Sequence, residues 1–261
     1  MKTYLNLGCG DTFHESWSNF DFVSSHKSVK QCNLLKGIPV SGNSADVVYH
    51  SHVLEHFTAE NGKAFVRECF RVLKPGGIIR IAVPDLENII REYLKNLEAA
   101  KSGDANAAAR YEWIKLELID QMVRHSGGGQ CGQYFFRETM PAEDYVYERW
   151  GETARVIRKA YQKAHTADFM SKVKWKLRQI FRSGEDEATR VGNFRLSGEV
   201  HLWMYDSFSL GNLLQECGFN EIKIVDPNTS AIQGWNNFAL EVRNGNVMKP
   251  DSLVMEARKP L

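Results

Sequence analysis

Along residues 1–85, short apolar runs closed by turn residues alternate with a segment of helical period, and few folds accept that order. Tyr4-Leu5-Asn6-Leu7 reads as a short buried strand closed by Gly8-Cys9-Gly10, whose glycines let the backbone turn sharply. Asn19 to Phe22 predicts a second strand carrying Asp21. Asp46 to His50 predicts a third, fed by the turn residues Ser41-Gly42-Asn43-Ser44. From Thr58, a suitable N-cap, the period changes: Phe65, Val66, Cys69, Phe70, Val72 and Leu73 recur at helical spacing until Pro75-Gly76-Gly77 stops them. Ile78 to Val83 then predicts a buried strand ending at Pro84-Asp85. Strands that alternate with helices need crossover connections, which favours a parallel sheet covered by helices.

Residues 86–196 break the alternation. They are rich in Ala, Glu, Lys and Arg at long helical periodicity with almost no strand signal, and the glycine run Gly127-Gly128-Gly129 marks a loop among them. The pattern resumes after His201. Ser207 to Cys217 predicts a helix with Leu210, Leu213, Leu214 and Cys217 on one face and Gly218 as its terminator. Ile222 to Val225 and Leu253 to Ala257 predict the last strands, and Phe238 to Val242 followed by Asn244-Gly245 predicts a hairpin arm. The expected organisation is an α/β core of residues 1–85 and 197–261, interrupted by a helical insertion, 86–196.

Composition limits the function. Hydrophobic residues make up 43% and charged residues 25% of 261, enough to bury a full core. A formal net charge of +1 supplies no field to draw the chain onto nucleic acid, so no nucleic-acid partner is expected. Cys9, Cys32, Cys69, Cys131 and Cys217 are scattered and never form C-x-x-C, which argues against a disulfide framework or a thiolate zinc site and for a reducing compartment. No apolar stretch reaches about 18 residues and no secretory leader opens the chain, so a cytoplasmic protein is expected.

Gly8-x-Gly10 after a strand suits a ligand that approaches the backbone closely. A dinucleotide fingerprint would need a third glycine where Phe13 stands and an acid about 20 positions on, and Asp21 comes too early for that. The ordered set Leu5-Asn6-Leu7-Gly8-Cys9-Gly10, Asp21, Asp46-Val47-Val48-Tyr49, Leu54-Glu55-His56 and Arg71-Val72-Leu73-Lys74-Pro75-Gly76-Gly77 resembles the class I S-adenosylmethionine-dependent methyltransferases. It is most similar to the bacterial type-11 group often associated with glycan assembly. The resemblance implies a doubly wound, seven-stranded Rossmann-like methyltransferase sheet and S-adenosylmethionine as cofactor. It puts Gly8 and Gly10 against the methionine part, Asp21 on the ribose hydroxyls, and Asn33 and Leu34 beside adenine, with Ser51 and His52 near cofactor or acceptor. Asn33 stands where the family commonly has Asp, and Asn6 where many relatives have an acid. Asp11 to Ser18 is also shorter than the usual first crossover helix.

A sulfonium already activates its methyl group, so the reaction demands alignment and exclusion of water, and no metal ligand is assigned. A hydroxyl acceptor gains from a general base. His201 is the first candidate and His52 the second. Gln130, Tyr134 and Trp203 are candidate acceptor contacts, with the insertion as an acceptor-binding subdomain. The expected acceptor is a saccharide, a glycan precursor or another small hydroxyl compound, phosphate-bearing or not. His52-x-x-Glu55-His56 also fits an inverted zinc-peptidase motif, and a catalytically silent S-adenosylmethionine-binding module is a further alternative. Between Thr153 and Arg182 nine Lys or Arg residues stand against one acid, Asp168. The amphipathic pattern over 172–182 reads either as a solvated outer face or as a patch for an anionic membrane or phosphate-bearing acceptor. Oligomeric state is not legible.

Overall fold

The computed structural model describes residues 2–24, 26–166 and 186–261. The basic stretch 172–182 lies outside the described residues. The chain divides into two compact units, Met1–Asn88 with His201–Leu261, and Ile89–Val200.

The first unit is built on one seven-stranded sheet. In chain order its strands are β1 (Tyr4–Leu7), β2 (Ser18–Asp21), β3 (Val29–Gln31), β4 (Ala45–Ser51), β5 (Leu73–Pro84), β6 (Asn220–Ile224) and β9 (Ser252–Arg258). Their spatial order is β3-β2-β1-β4-β5-β9-β6. Strands β1 to β5 pair in parallel, and β9 runs antiparallel to both β5 and β6. The predicted doubly wound, seven-stranded α/β sheet is therefore present, with the order reversing beside β1. That reversal opens a crevice at the carboxyl ends of the strands, where open α/β sheets bind ligands.

Central strands β4 and β5 are buried along almost their whole length, which is why they read as unbroken apolar runs rather than alternating ones. Helix α1 (Ala59–Val72) covers one face. Thr58 caps it by accepting from Asn61 N at 3.2 Å, and Phe65, Val66, Cys69 and Val72 form its buried stripe. Burial of side chains of this size contributes about 1.5–3 kcal/mol each. The helix Ser207–Glu216 adds Leu210, Leu213 and Leu214 to the same core, and Asp206 and Ser209 close a reciprocal cap at its start.

The opposite face is closed by aromatic packing. Trp17, Tyr49 and Trp235 meet at centroid separations of 5.1–6.2 Å, with Phe238 beside them. The predicted hairpin arm is shorter than expected: β7 (Val242–Arg243) and β8 (Asn246–Val247) flank Asn244 and Gly245, both at positive φ. Phe238 instead ends a 3₁₀ turn, because Leu240 and Glu241 turn inward to the core and to Arg80.

The second unit contains α2 (Leu86–Lys101, entering from the first unit), α3 (Ala105–Val123), α4 (Gly129–Phe135), α5 (Glu143–Thr166) and the helix Glu187–Arg195. Trp113 is fully buried between Tyr134 and Trp150, and Glu117 accepts from Trp113 Nε1 and from Arg149. The glycine run has a packing reason. A Cβ on Gly129 would lie 2.3 Å from Asp120 Oδ2, whose carboxylate receives Gln130 N and Cys131 N at the start of α4.

Candidate active site

Asn6 sets up the carboxyl edge from below. It is buried at the centre of β1 and donates through Nδ2 to Thr12 O at 3.0 Å and to Asn19 Oδ1 at 3.3 Å. Asn19 in turn donates to His14 O and Trp17 O. These amides hold residues 8–17 as an irregular loop with no crossover helix, so an acid is not needed at position 6.

Gly8 N and Cys9 N both donate to Phe20 O, and Gly8 and Gly10 have φ of 64° and 50°. The two glycines serve different ends. A Cβ on Gly8 would meet Val53 Cγ2 at 2.4 Å, so that glycine is required by packing. A Cβ on Gly10 would meet nothing within 4 Å, leaving its backbone open to a ligand.

Asp21, at the end of β2, accepts from Gly10 N at 2.7 Å through Oδ2 and from Val23 N at 3.1 Å through Oδ1. A carboxylate has about four acceptor sites, so about two remain, as many as a ribose diol requires. Asn33 is half-buried and caps the short turn Leu34–Lys36 by accepting from Leu35 N at 3.0 Å. Leu34 departs from the expected adenine contact. Its side chain, the first of the turn, is packed in the core. Phe22 and Leu35 are the apolar residues exposed beside Asp21 and Asn33, at 61% and 55%. Sequence reading missed both, since exposure cannot be read from residue type. An open glycine backbone, a carboxylate with acceptor sites to spare and exposed apolar side chains fit the methionine, ribose and adenine parts of S-adenosylmethionine.

Farther along the same edge, Ser51 closes β4 and His52 follows at φ 54°, a conformation costly for a non-glycine residue. His52 N donates to Ala82 O. Its Nδ1 lies 3.2 Å from Glu55 Oε1, and its Nε2 lies 2.8 Å from Ser252 Oγ. With the proton on Nδ1, facing the carboxylate, Nε2 would accept from the Ser252 hydroxyl. Burial pulls the His52 pKa down, as does the Lys249 charge, against the upward pull of Glu55. Glu55 is fully buried. Burial pushes its carboxyl up, but His52, His201 and His56 outweigh that and bring it to about 2.

His201 is 5% exposed, and its ring meets His56 edge-on at 4.9 Å. Leu202 N and Trp203 N both donate to Glu55 O, so the returning chain is pinned onto the Leu54–His56 turn. That turn is one 3₁₀ turn following His52 at positive φ. His52 and His56 therefore do not share a helix face, and the peptidase-type motif lacks its helix. Trp203 is 46% exposed. The two expected acceptor contacts of the helical unit are placed differently. Tyr134 is buried in the helical unit with its hydroxyl donating to Pro141 O at 2.7 Å, and Gln130 is exposed with its backbone N given to Asp120. An open cleft at the opposite, amino edge of the sheet is lined by Tyr4, Asp46, Lys74 and Ile232. Its carboxylate accepts from Lys74 Nζ and Thr3 N through Oδ2, both at 2.7 Å.

Residues 19–81 match a family model described as a methyltransferase domain. This interval contains Asp21, Asn33, Ser51, His52, Glu55 and His56. A protein of Mycolicibacterium smegmatis described as a probable S-adenosylmethionine-dependent methyltransferase is 41% identical over 51 residues, covering 20% of this chain and 19% of that protein. Ribosomal RNA-processing protein 8 of Caenorhabditis elegans is 33% identical over 89 residues, covering 31% of this chain and 25% of its own length. The chain thus spans a quarter or less of these curated relatives. Among solved structures, a SAM-dependent methyltransferase from Archaeoglobus fulgidus covers 99% of this chain and 86% of its own at 13% identity and a TM-score of 0.40. Among the described residues no helix is long and apolar enough to cross a membrane.

Proposed function

We propose that this chain is an S-adenosylmethionine-dependent methyltransferase acting on a hydroxyl of a small-molecule or glycan acceptor. The observation that carries the reading is Asp21, with acceptor sites to spare beside the open backbone of Gly10, inside the interval that matches a methyltransferase domain. Gly10, Asp21 and Asn33 would hold the cofactor, with Phe22 and Leu35 offering apolar surface to its base. When bound, S-adenosylmethionine supplies a methyl group on a sulfonium.

The chain's own contribution is to bind the acceptor, keep water away and take up its proton. His52 is the base the geometry favours over His201. Glu55 fixes its orientation through Nδ1, and Nε2 already receives a hydroxyl, that of Ser252, at 2.8 Å. An acceptor hydroxyl at that nitrogen would find a correctly oriented neutral imidazole. Exposed Trp203 supplies a flat apolar surface of the kind that packs against sugar rings, which supports the saccharide reading. The helical unit holds none of the cofactor motifs and is the part of the chain left to select the acceptor.

Incubating the chain with methyl-deuterated S-adenosylmethionine and a panel of hydroxylated glycans and small molecules tests this reading by mass spectrometry. Labelled methyl ethers together with S-adenosylhomocysteine are expected. Label found only on nitrogen or sulfur acceptors would overturn the hydroxyl assignment.

A further inference from the structure

One carboxylate oxygen at the site has no role in the proposed methyl transfer. Glu55 is a fully buried carboxylate, and its Oε2 has no hydrogen-bond partner among the described residues. A buried acceptor left unsatisfied costs about 1–3 kcal/mol, and more when charged, so proteins rarely retain one without a ligand to use it. Oε1 faces His52. One ligand atom each from Glu55, His56 and His201 lie within 4.8 Å of one another. The grouping is built by the fold. Leu202 N and Trp203 N clamp the returning chain to Glu55 O at 2.7 and 3.2 Å, which brings His201 to the turn carrying Glu55 and His56.

We infer that Glu55, His56 and His201 form a binding site for a divalent transition-metal ion. Two imidazole nitrogens and one carboxylate oxygen suit zinc, manganese, cobalt or iron better than magnesium or calcium, and three protein ligands leave coordination positions open for oxygen ligands. Ligand atoms about 2.0–2.2 Å from a shared ion lie roughly 3–4 Å apart, so closing the cluster takes side-chain shifts of about 1 Å. His52, whose Nδ1 lies 3.2 Å from Glu55 Oε1, stands beside the ligand set as an outer partner that would orient the carboxylate. The site differs from the peptidase-type reading of His52-x-x-Glu55-His56, because the second histidine ligand comes from position 201 and His52 stands outside the ligand set. On the methyltransferase reading, an ion there would acidify an acceptor hydroxyl bound in an open position, and that consequence rests on the reading above.

The test is titration of the chelator-treated full chain with cobalt(II) alone, followed by visible absorption and calorimetry, with S-adenosylmethionine titrated into the same samples. One cobalt per chain with ligand-field bands of a nitrogen- and oxygen-ligated ion is expected. Affinity should fall about tenfold or more in each of His56→Asn, His201→Asn and Glu55→Gln. His56 is partly exposed, so His56→Asn decides if either buried variant fails to fold. Failure of the wild-type chain to bind cobalt(II), zinc(II) or manganese(II), or unchanged affinity in folded His56→Asn, would overturn the inference. S-Adenosylmethionine binding without metal binding would sink this inference alone, whereas loss of cofactor binding would sink the methyltransferase reading.

Discussion

Two buried charge clusters in the sheet unit look alike in composition and differ in how completely they are satisfied. On the aromatic face, Arg80 is fully buried and donates to Glu241 at 2.5 Å, to Glu256 at 2.7 Å and to Thr229 O at 2.8 Å, with its guanidinium 4.4 Å from the Trp235 ring centre. Burial would pull the Arg80 pKa down, but the two carboxylates reverse the direction. At the carboxyl edge, Glu55 is buried as deeply, yet it is surrounded by histidines and retains an oxygen without a hydrogen-bond partner among the described residues. A fully paired cluster fixes the loop that closes a face. A half-paired cluster of titratable groups at the carboxyl edge of the sheet is the kind of arrangement that active sites use, and it is the one the proposed function draws on.

The largest expected effect separates the two clusters by stability. Arg80→Ala leaves two carboxylates buried without their cation and should cost about 3–5 kcal/mol in denaturant unfolding. A loss under about 1 kcal/mol would mean that the aromatic face does not depend on the pair.

A pH effect comes next, from a buried group outside both clusters. His50, near the carboxyl end of β4, has its pKa lowered from 6.5 to about 4 by burial, partly offset by Glu55. A depressed pKa means the folded state prefers the neutral ring. The stability it contributes is therefore full above pH 6.5 and lost as pH falls toward 4. At about 1.4 kcal/mol per pH unit, the interval is worth about 3 kcal/mol. His50→Phe should flatten the unfolding free energy between pH 6.5 and 4. An unchanged slope would show that another group titrates.

In the half-paired cluster the expected loss is of rate. His52→Gln should lower kcat on a hydroxyl acceptor by about 10² while S-adenosylmethionine affinity stays within about twofold, as for a lost general base. An equal fall in cofactor affinity would make His52 a binding residue instead. The smallest effect is the stability change in Glu55→Gln. Its amide keeps the volume of the carboxylate and an oxygen toward His52 Nδ1, so the loss on unfolding should stay below about 2 kcal/mol, less than that of Arg80→Ala. A loss as large as that of Arg80→Ala would erase the distinction between the clusters.

The sequence discloses what local chemistry decides. The glycine turn after β1, Asp21 at the end of β2, the Thr58 cap and the apolar runs of β4 and β5 depend on neighbouring residues, and each is found where the pattern predicts. Pairings across the chain were not legible. Arg80 meets Glu241 and Glu256 over 161 and 176 residues, and nothing in those segments marks them as partners. His201 and His56 were visible as histidines, but their meeting at Glu55 depends on where the chain returns to the sheet. The burial of Tyr134 and Leu34 was not legible, for one shared reason. Tyrosine and leucine next to turns serve ligands and cores equally well, and burial decided for the core.

The central claim, that the carboxyl edge of this sheet holds S-adenosylmethionine through Asp21, is tested most directly by calorimetric titration of the cofactor into the wild-type chain and Asp21→Asn. Asparagine keeps an oxygen for Gly10 N while removing the charge that would receive the ribose hydroxyls. Charge-assisted bonds are worth about 1.5–3 kcal/mol each, so micromolar binding by the wild type and affinity about tenfold or more weaker in the variant are predicted. No binding by the wild type, or equal affinity in a folded Asp21→Asn chain, would contradict the account.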